Sequence, residues 1–353
     1  MTLTLRVDGD AWRAQLRQTA ESRPGLVPVA KGNGYGFGNH RLARRAAWLG
    51  VDTLAVGTYA ELDQVADRCD ADLLVLTPWR DFLATSLLSM SDRVIHTVGR
   101  IEDLAALADA PGRPRVVLER MTSMRRHGFS AAQLREAARV VAAGGVRAEG
   151  VALHLPLPGP DSVREAENAI TDALAAGLGA GGPLDTSLWV SHLSAAEVAG
   201  LAAAYPDLRL RPRVGTDLWL GAREALRVTA RVLDAHPVRR GERYGYRRRR
   251  APRPGTLLIV SGGTGHGIGL EAPTGQSGVR ARGTTLARGG LDAAGLVRSP
   301  YVVAGKHRFF AEPPHMQASM LFLPTGVPVP AIGDEVDVRV RYTATTFDAV
   351  DIS

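Results

Sequence analysis

Between residues 26 and 213 the apolar positions fall into short runs, at 26–30, 53–56, 73–76, 94–97, 115–118, 150–154, 187–191 and 208–213. Runs of four to six apolar residues bounded by polar or glycine-containing turns read as buried strands. Separating them are the stretches 39–48, 59–66, 101–108, 131–143, 162–176 and 195–204, rich in the helix formers Ala, Leu, Arg and Glu. Eight such strands alternating with helices predict an α/β architecture, a parallel (β/α)8 TIM barrel spanning residues 8–225. Asp8 or Asp10 can cap the first helix, which carries Trp12 and Leu16.

After Gly221 the alanine-rich stretches stop, and short strand-like runs at 227–234, 256–260, 320–324 and 335–342 follow, with Gly and Pro between them. This predicts a smaller, mainly β domain over 226–353, with the boundary near 222–228. A closed barrel offers no free edge, so residues 1–7, which read as a strand, are expected to pair into the β domain.

Composition narrows the class. A hydrophobic share of 45% and a charged share of 22% are those of a globular protein. No apolar run approaches the roughly 20 residues that span a bilayer, and the N-terminus lacks a signal-peptide core. Together with the single Cys69, which excludes an internal disulfide framework, this gives an expected cytoplasmic location. The net charge of +7 is spread along the chain, apart from Arg247–Arg250 with Arg239, Arg240 and Arg243 before it. That block answers to a solvated loop between strands or to a surface for an anionic partner. With no aromatic-basic stripe beside it, a nucleic-acid module is a remote alternative.

The basic residues carry a second signal. Of 43 Lys and Arg, only Lys31 and Lys306 are lysines. Where nearly every basic position is arginine, a retained lysine points to the chemistry of a primary amine, since a guanidinium cannot form a Schiff base. Lys31 ends the run Val27-Pro28-Val29-Ala30 and is followed at once by Gly32-Asn33-Gly34-Tyr35-Gly36-Phe37-Gly38. Burial at a strand end lowers an amine's pKa and favours its neutral, nucleophilic form. Lys306 lies in the β domain and reads as a surface residue. In a barrel the active groups sit where strands end, and there the sequence places Lys31, Arg126, His154, Ser194, Arg213 and the Gly215-Thr216 turn.

These residues carry a resemblance to the alanine racemases, pyridoxal-phosphate enzymes with a (β/α)8 barrel and a C-terminal β domain. Lys31-Gly32-Asn33-Gly34-Tyr35-Gly36-Phe37-Gly38 is similar to the family's K-x-N-x-Y-G-x-G motif. The resemblance implies a PLP-dependent amino-acid racemase, an isomerase interconverting L- and D-amino acids through an external aldimine. Lys31 would carry the cofactor as a Schiff base and act as one of two catalytic bases. Tyr35, Ser194, Gly215, Thr216 and Tyr342 would lie at the cofactor phosphate, Arg213 at the pyridine nitrogen, and His154 beside it. A cation held at that nitrogen keeps the ring a weak electron sink, which favours simple reprotonation at Cα. Arg126 would meet the cofactor phenolate and the substrate carboxylate. Glu119 stands where many relatives have a carbamylated lysine and supplies a comparable fixed negative charge.

The C-terminal half departs from the pattern. Racemisation needs a second acid/base on the opposite face, which the family takes from a tyrosine in a G-Y-x-D-G stretch of the partner subunit. Here the matching stretch is Ile259-Val260-Ser261-Gly262-Gly263-Thr264-Gly265-His266-Gly267, and no tyrosine occurs from 247 to 300. His266 can replace it, or the segment can be a tight β connection. The family's M-D-Q corresponds to His315-Met316-Gln317, which lacks the acid. By the resemblance the chain forms a head-to-tail homodimer in which His266, Met316 and Gln317 act in trans on a small-molecule amino acid. Two other readings use the same residues: a PLP-binding protein without racemase activity, and a PLP reaction needing one base only.

Overall fold

The computed structural model describes residues 2–83, 91–270 and 297–353. The chain divides into two compact units, Arg13–Gly221 and the pair Met1–Trp12 with Ala222–Ser353. It opens with strand β1 (Leu3–Val7) and helix α1 (Gly9–Glu21).

The first unit alternates strand and helix: β2 (Val27–Ala30), α2 (Asn39–Trp48), β3 (Thr53–Val56), α3 (Leu62–Val65), β4 (Asp72–Val75), β5 (Val94–Val98), α4 (Ile101–Ala108), β6 (Arg115–Arg120), α5 (Ala131–Ala142), β7 (Arg147–His154), α6 (Ser162–Ala175), β8 (Ser187–Ser191), α7 (Ala195–Ala204), β9 (Arg209–Val214) and α8 (Thr216–Trp219). Strands β2 to β9 form a closed parallel barrel in sequence order, shut by pairing of Val27 with Arg213 and Pro28 with Val214. The expected (β/α)8 barrel is therefore present. Its interior is filled by Val27, Val29, Ala55, Leu74, Ile95, Val117, Ala152 and Trp189, each large apolar side chain contributing about 1.5–3 kcal/mol by leaving water.

Side chains two apart on a strand share a face, so Arg211 and Arg213 of β9 lie on one side of it. Both are buried. Arg211 stacks 4.8 Å above the Trp189 ring, pairs with Asp52 and donates to Thr53 at 2.7 Å. Its charge is thus consumed at the start of β3, whereas Arg213 lies one step nearer the strand ends.

In the second unit the strands are β1, β10 (Leu226–Val238), β11 (Arg243–Tyr244), β12 (Arg249–Arg250), β13 (Gly255–Ser261), β14 (Arg298–Val303), β15 (Lys306–Phe310), β16 (Ala318–Pro324), β17 (Glu335–Val338) and β18 (Ala349–Ile352). The main sheet runs β13-β16-β15-β14-β17-β10-β1-β18. The long β10 pairs with β17 over Thr229–Arg231 and with β13 over Val232–Val238, so six strands close on themselves. A register shift between Val232 and Asp234 permits this change of partner. The barrel class followed by a mainly β unit matches expectation, and β1 pairs with β10 and β18 in this unit.

Two local expectations need correction. The predicted strand 335–342 ends at Val338, and Tyr342 opens a 3-10 turn, because pairing with β14 runs out there. The arginine block is not simply a loop. Arg249 and Arg250 pair with Tyr244 and Arg243 in a two-stranded hairpin, anchored because Tyr244 packs on Val238, Ala251, Leu257 and Ala311. Tyr244 and Arg249 each donate to the Ala311 carbonyl at 3.2 Å, leaving Arg247 and Arg248 exposed at the tip.

Candidate active site at the barrel mouth

β2 delivers Lys31 to the strand-end face of the barrel. Its position is fixed from behind by Trp219 of α8, fully buried, whose indole donates to the Val29 carbonyl at 2.8 Å. From the side it is held by Glu61, whose carboxylate accepts from the Gly32, Gly57 and Thr58 amides at 2.8, 2.7 and 3.2 Å. The backbone then turns through left-handed conformations at Gly32, Gly34, Tyr35, Gly36 and Gly38. At Gly34 a side chain is excluded twice over: φ is +61°, and a Cβ would come within 2.6 Å of the Asn39 amide nitrogen. Tyr35 accepts φ 55° without being glycine, and its side chain is buried. Its hydroxyl lies 2.0 Å from where a Cβ of Gly215 would stand, so absence of a side chain at 215 is what admits the phenol.

The Lys31 residue is open to solvent, yet crowding by the mouth's walls pushes its amine pKa down, with Arg126 and Arg213 adding to the shift and Glu61 opposing it. Arg213 is buried and donates to the Leu153 carbonyl at 2.8 Å, while its Nε has no partner. Glu119 and Arg126 are its charged neighbours. Burial pushes the Glu119 carboxyl up, against the pull of Arg213 and Arg126. The position assigned to a fixed charge is thus occupied by a buried carboxyl with both arginines as electrostatic neighbours. His154 ends β7, with Nδ1 3.3 Å from the Ser191 hydroxyl. Its pKa is pulled down to about 3 by burial and then by Arg213, Arg126, His192 and Lys31, so the ring stays neutral.

Ser194 is placed otherwise than at a free cradle. Its hydroxyl caps α7, accepting from the Glu197 amide at 3.3 Å and donating to the Glu197 carboxylate at 2.8 Å, while its own amide donates to the same carboxylate at 2.7 Å. This capping box satisfies the helix's open amides, and Ser194 must release Glu197 before it meets a phosphate. Gly215 and Thr216 open the short α8.

His192, in the turn between β8 and α7, was not singled out by sequence. Its ring packs against that of His154 at a tilt of 58°, with centroids 5.1 Å apart, and has Lys31 and Arg213 among its electrostatic neighbours. The residue directly follows the strand-like run 187–191, at Ser191-His192-Leu193-Ser194. That placement was the available signal.

In the β unit, His266, Met316 and Gln317 line one cavity of about 470 Å³ with Gly265, Thr346, Phe347 and Asp348. The His266 ring is held at both nitrogens: Nδ1 accepts from the Gly263 amide at 3.2 Å, and Nε2 meets Asp348 at 3.1 Å. Tyr342 donates to the Leu226 carbonyl at 3.4 Å and lies under Arg223, 5.2 Å from its ring.

A (β/α)8 barrel with a lysine directly after its first strand, a buried arginine near the end of its last and a β unit following in sequence defines a lysine-bearing barrel class. The family model for the alanine racemase N-terminal domain matches residues 7–219, more than half the sequence, and the chain belongs to the alanine racemase family. The alanine racemase of Nitratidesulfovibrio vulgaris (strain Miyazaki F) is 27% identical over 284 residues, covering 74% of each chain. The alanine racemase of Bartonella henselae, solved with covalently bound pyridoxal phosphate, superposes with a TM-score of 0.68 at 19% identity, covering 97% of this chain and 91% of that one. A histidine racemase from Leuconostoc mesenteroides gives 0.64 at 19%, covering 98% and 90%. Members of the family depend on pyridoxal 5'-phosphate. The mouth fits that group: Lys31 offers an amine of lowered pKa, and the buried Arg213 Nε lacks an acceptor, which a ring nitrogen can supply.

Proposed function

We propose that this protein is a PLP-dependent amino-acid racemase acting on an alanine-type substrate, with Lys31 as the cofactor lysine and one of its proton carriers. The observation that carries the reading is the amine of Lys31, depressed by burial and by Arg126 and Arg213, in the same barrel mouth as a buried guanidinium nitrogen without a partner. The bound cofactor supplies an electron-withdrawing system that makes a substrate's Cα–H acidic. Lys31 Nζ takes that proton on one face and returns one there in the reverse direction. Arg126 binds the substrate carboxylate. Arg213 and His154 hold the ring end. Tyr35, Ser194, Gly215 and Thr216 hold the phosphate, Ser194 once it has released Glu197. A cytoplasmic head-to-tail homodimer would bring the partner's His266, Met316 and Gln317 to the substrate.

A second reading, PLP binding without racemisation, is favoured by one observation: both His266 nitrogens are already engaged, which leaves that ring no free lone pair to act as second base. Incubating the PLP-loaded protein with L-alanine and, in parallel, L-histidine in D2O separates the two. Deuterated D-isomer supports the racemase, deuterium confined to the L-isomer supports one-face exchange, and unlabelled substrate leaves the binding protein.

A further inference from the structure

The barrel mouth holds a histidine that the proposed function does not yet use. His192 follows β8 at φ 65°, one of six non-glycine residues at positive φ among those described. Positive φ is uncommon outside glycine, histidine adopts it more readily than most residues, and such conformations gather at working sites. The Pro156 carbonyl lies to one side of the ring and favours its protonated form, while Nδ1 is buried and has no partner. Nδ1 is thus the unengaged nitrogen, and a proton carried at Nε2 leaves it a lone pair. The charged groups facing the ring are Lys31 and Arg213 on the cationic side and Asp217 opposing them, with the neutral His154 ring beside it. Burial and these cations push its pKa down, so the lone pair is available at neutral pH. His266, by contrast, has neither nitrogen free.

We infer that His192 is the second proton carrier of the barrel mouth, taking and returning a substrate Cα proton at Nδ1 from within the same chain as Lys31. The inference rests on the racemase reading. Inversion breaks one C–H bond and forms another. In one direction Nδ1 takes the proton, and the Lys31 ammonium gives one to the opposite face. His192 ends one proton richer and Lys31 one poorer, and turnover in the other direction or exchange with water restores both. No further reactant is required.

The test uses the full chain loaded with PLP. His192→Asn suits it, because asparagine tolerates positive φ and keeps a polar side chain but carries no proton. The variant should retain the visible absorbance of the lysine-bound cofactor and lose inversion of L-alanine by at least about 100-fold, while one of the two isomers, each incubated alone in D2O, still exchanges its Cα proton through Lys31. Independently of turnover, nitrogen NMR of the wild-type imidazoles should show one ring protonated at Nε2 only, absent in His192→Asn, that gains a proton at Nδ1 as the solution is acidified or amino acid is added. Inversion by His192→Asn within about threefold of wild type overturns the inference, as does a resting ring protonated at Nδ1. A wild type that binds no PLP at Lys31 overturns the racemase reading itself. Loaded protein with full inversion in His192→Asn overturns this inference alone.

Discussion

The barrel mouth and the β-unit cavity each gather a histidine among polar neighbours, and they differ in what is left unsatisfied. In the β unit His266 is closed off by Gly263 and Asp348, and the Asp348 carboxylate also accepts from the Leu3 amide at 2.8 Å. His266 and Asp348 thus tie the turn 263–267 to the first strand. In the mouth, Arg213 Nε and His192 Nδ1 are buried without partners. Leaving a buried donor or acceptor open costs about 1–3 kcal/mol, so two in one mouth mark a place where folding is compromised for a ligand. The difference teaches that a histidine in a glycine-rich turn can be spent on holding the fold, while one at a strand end keeps a nitrogen unengaged.

The comparison can be broken most forcefully at Gly215. Gly215→Val drives a side chain into the Tyr35 hydroxyl. It should weaken PLP binding by tenfold or more and cost about 1–3 kcal/mol of stability, read by cofactor titration and thermal melting. Unchanged PLP binding would detach the Tyr35–Gly215 contact from the site.

A smaller effect is expected at Arg126, which helps depress the Lys31 amine. Neutral amine captures the aldehyde, so the rate of PLP capture should rise with pH through a midpoint below the ordinary lysine value of 10.5. In Arg126→Gln that midpoint should move up, slowing capture at pH 8. The shift will be modest because Arg126 is exposed and screened by salt. A midpoint that stays or moves down contradicts the assigned electrostatics.

The smallest effect belongs to the β unit. His266→Gln should lower stability by about 1 kcal/mol through its lost hydrogen bonds, seen as a lower Tm. A hundredfold loss of inversion in that variant would instead return the second proton carrier to the β unit.

Much of this architecture was legible because buried parallel strands are written as short apolar runs. Strands β3 and β8 were read with their observed ends, and the helices 39–48, 101–108 and 195–204 likewise. Strand β15, Lys306-His307-Arg308-Phe309-Phe310, was missed because its first three residues are polar, and the hairpin of β11 and β12 because arginines carry no periodicity. Tyr342 was extended into a strand that lacks a pairing partner beyond Val338. At the site, residue types at strand ends exposed Lys31, Arg126, His154 and Arg213. Sequence could not show that Ser194 is engaged with Glu197, that Glu61 staples the Lys31 turn, or that His192 adopts positive φ with a free nitrogen. Those depend on which groups meet in space, and a hydroxyl or an imidazole reads the same whether satisfied or open.

The central claim, that Lys31 is the cofactor lysine, is tested most directly by reducing the PLP-treated protein with borohydride and mapping the label by peptide mass. The chain offers only Lys31 and Lys306 as lysine acceptors. Stoichiometric pyridoxyl label on Lys31, lost in Lys31→Ala, is the predicted result; label on Lys306 or the N-terminal amine alone, or none, would contradict it.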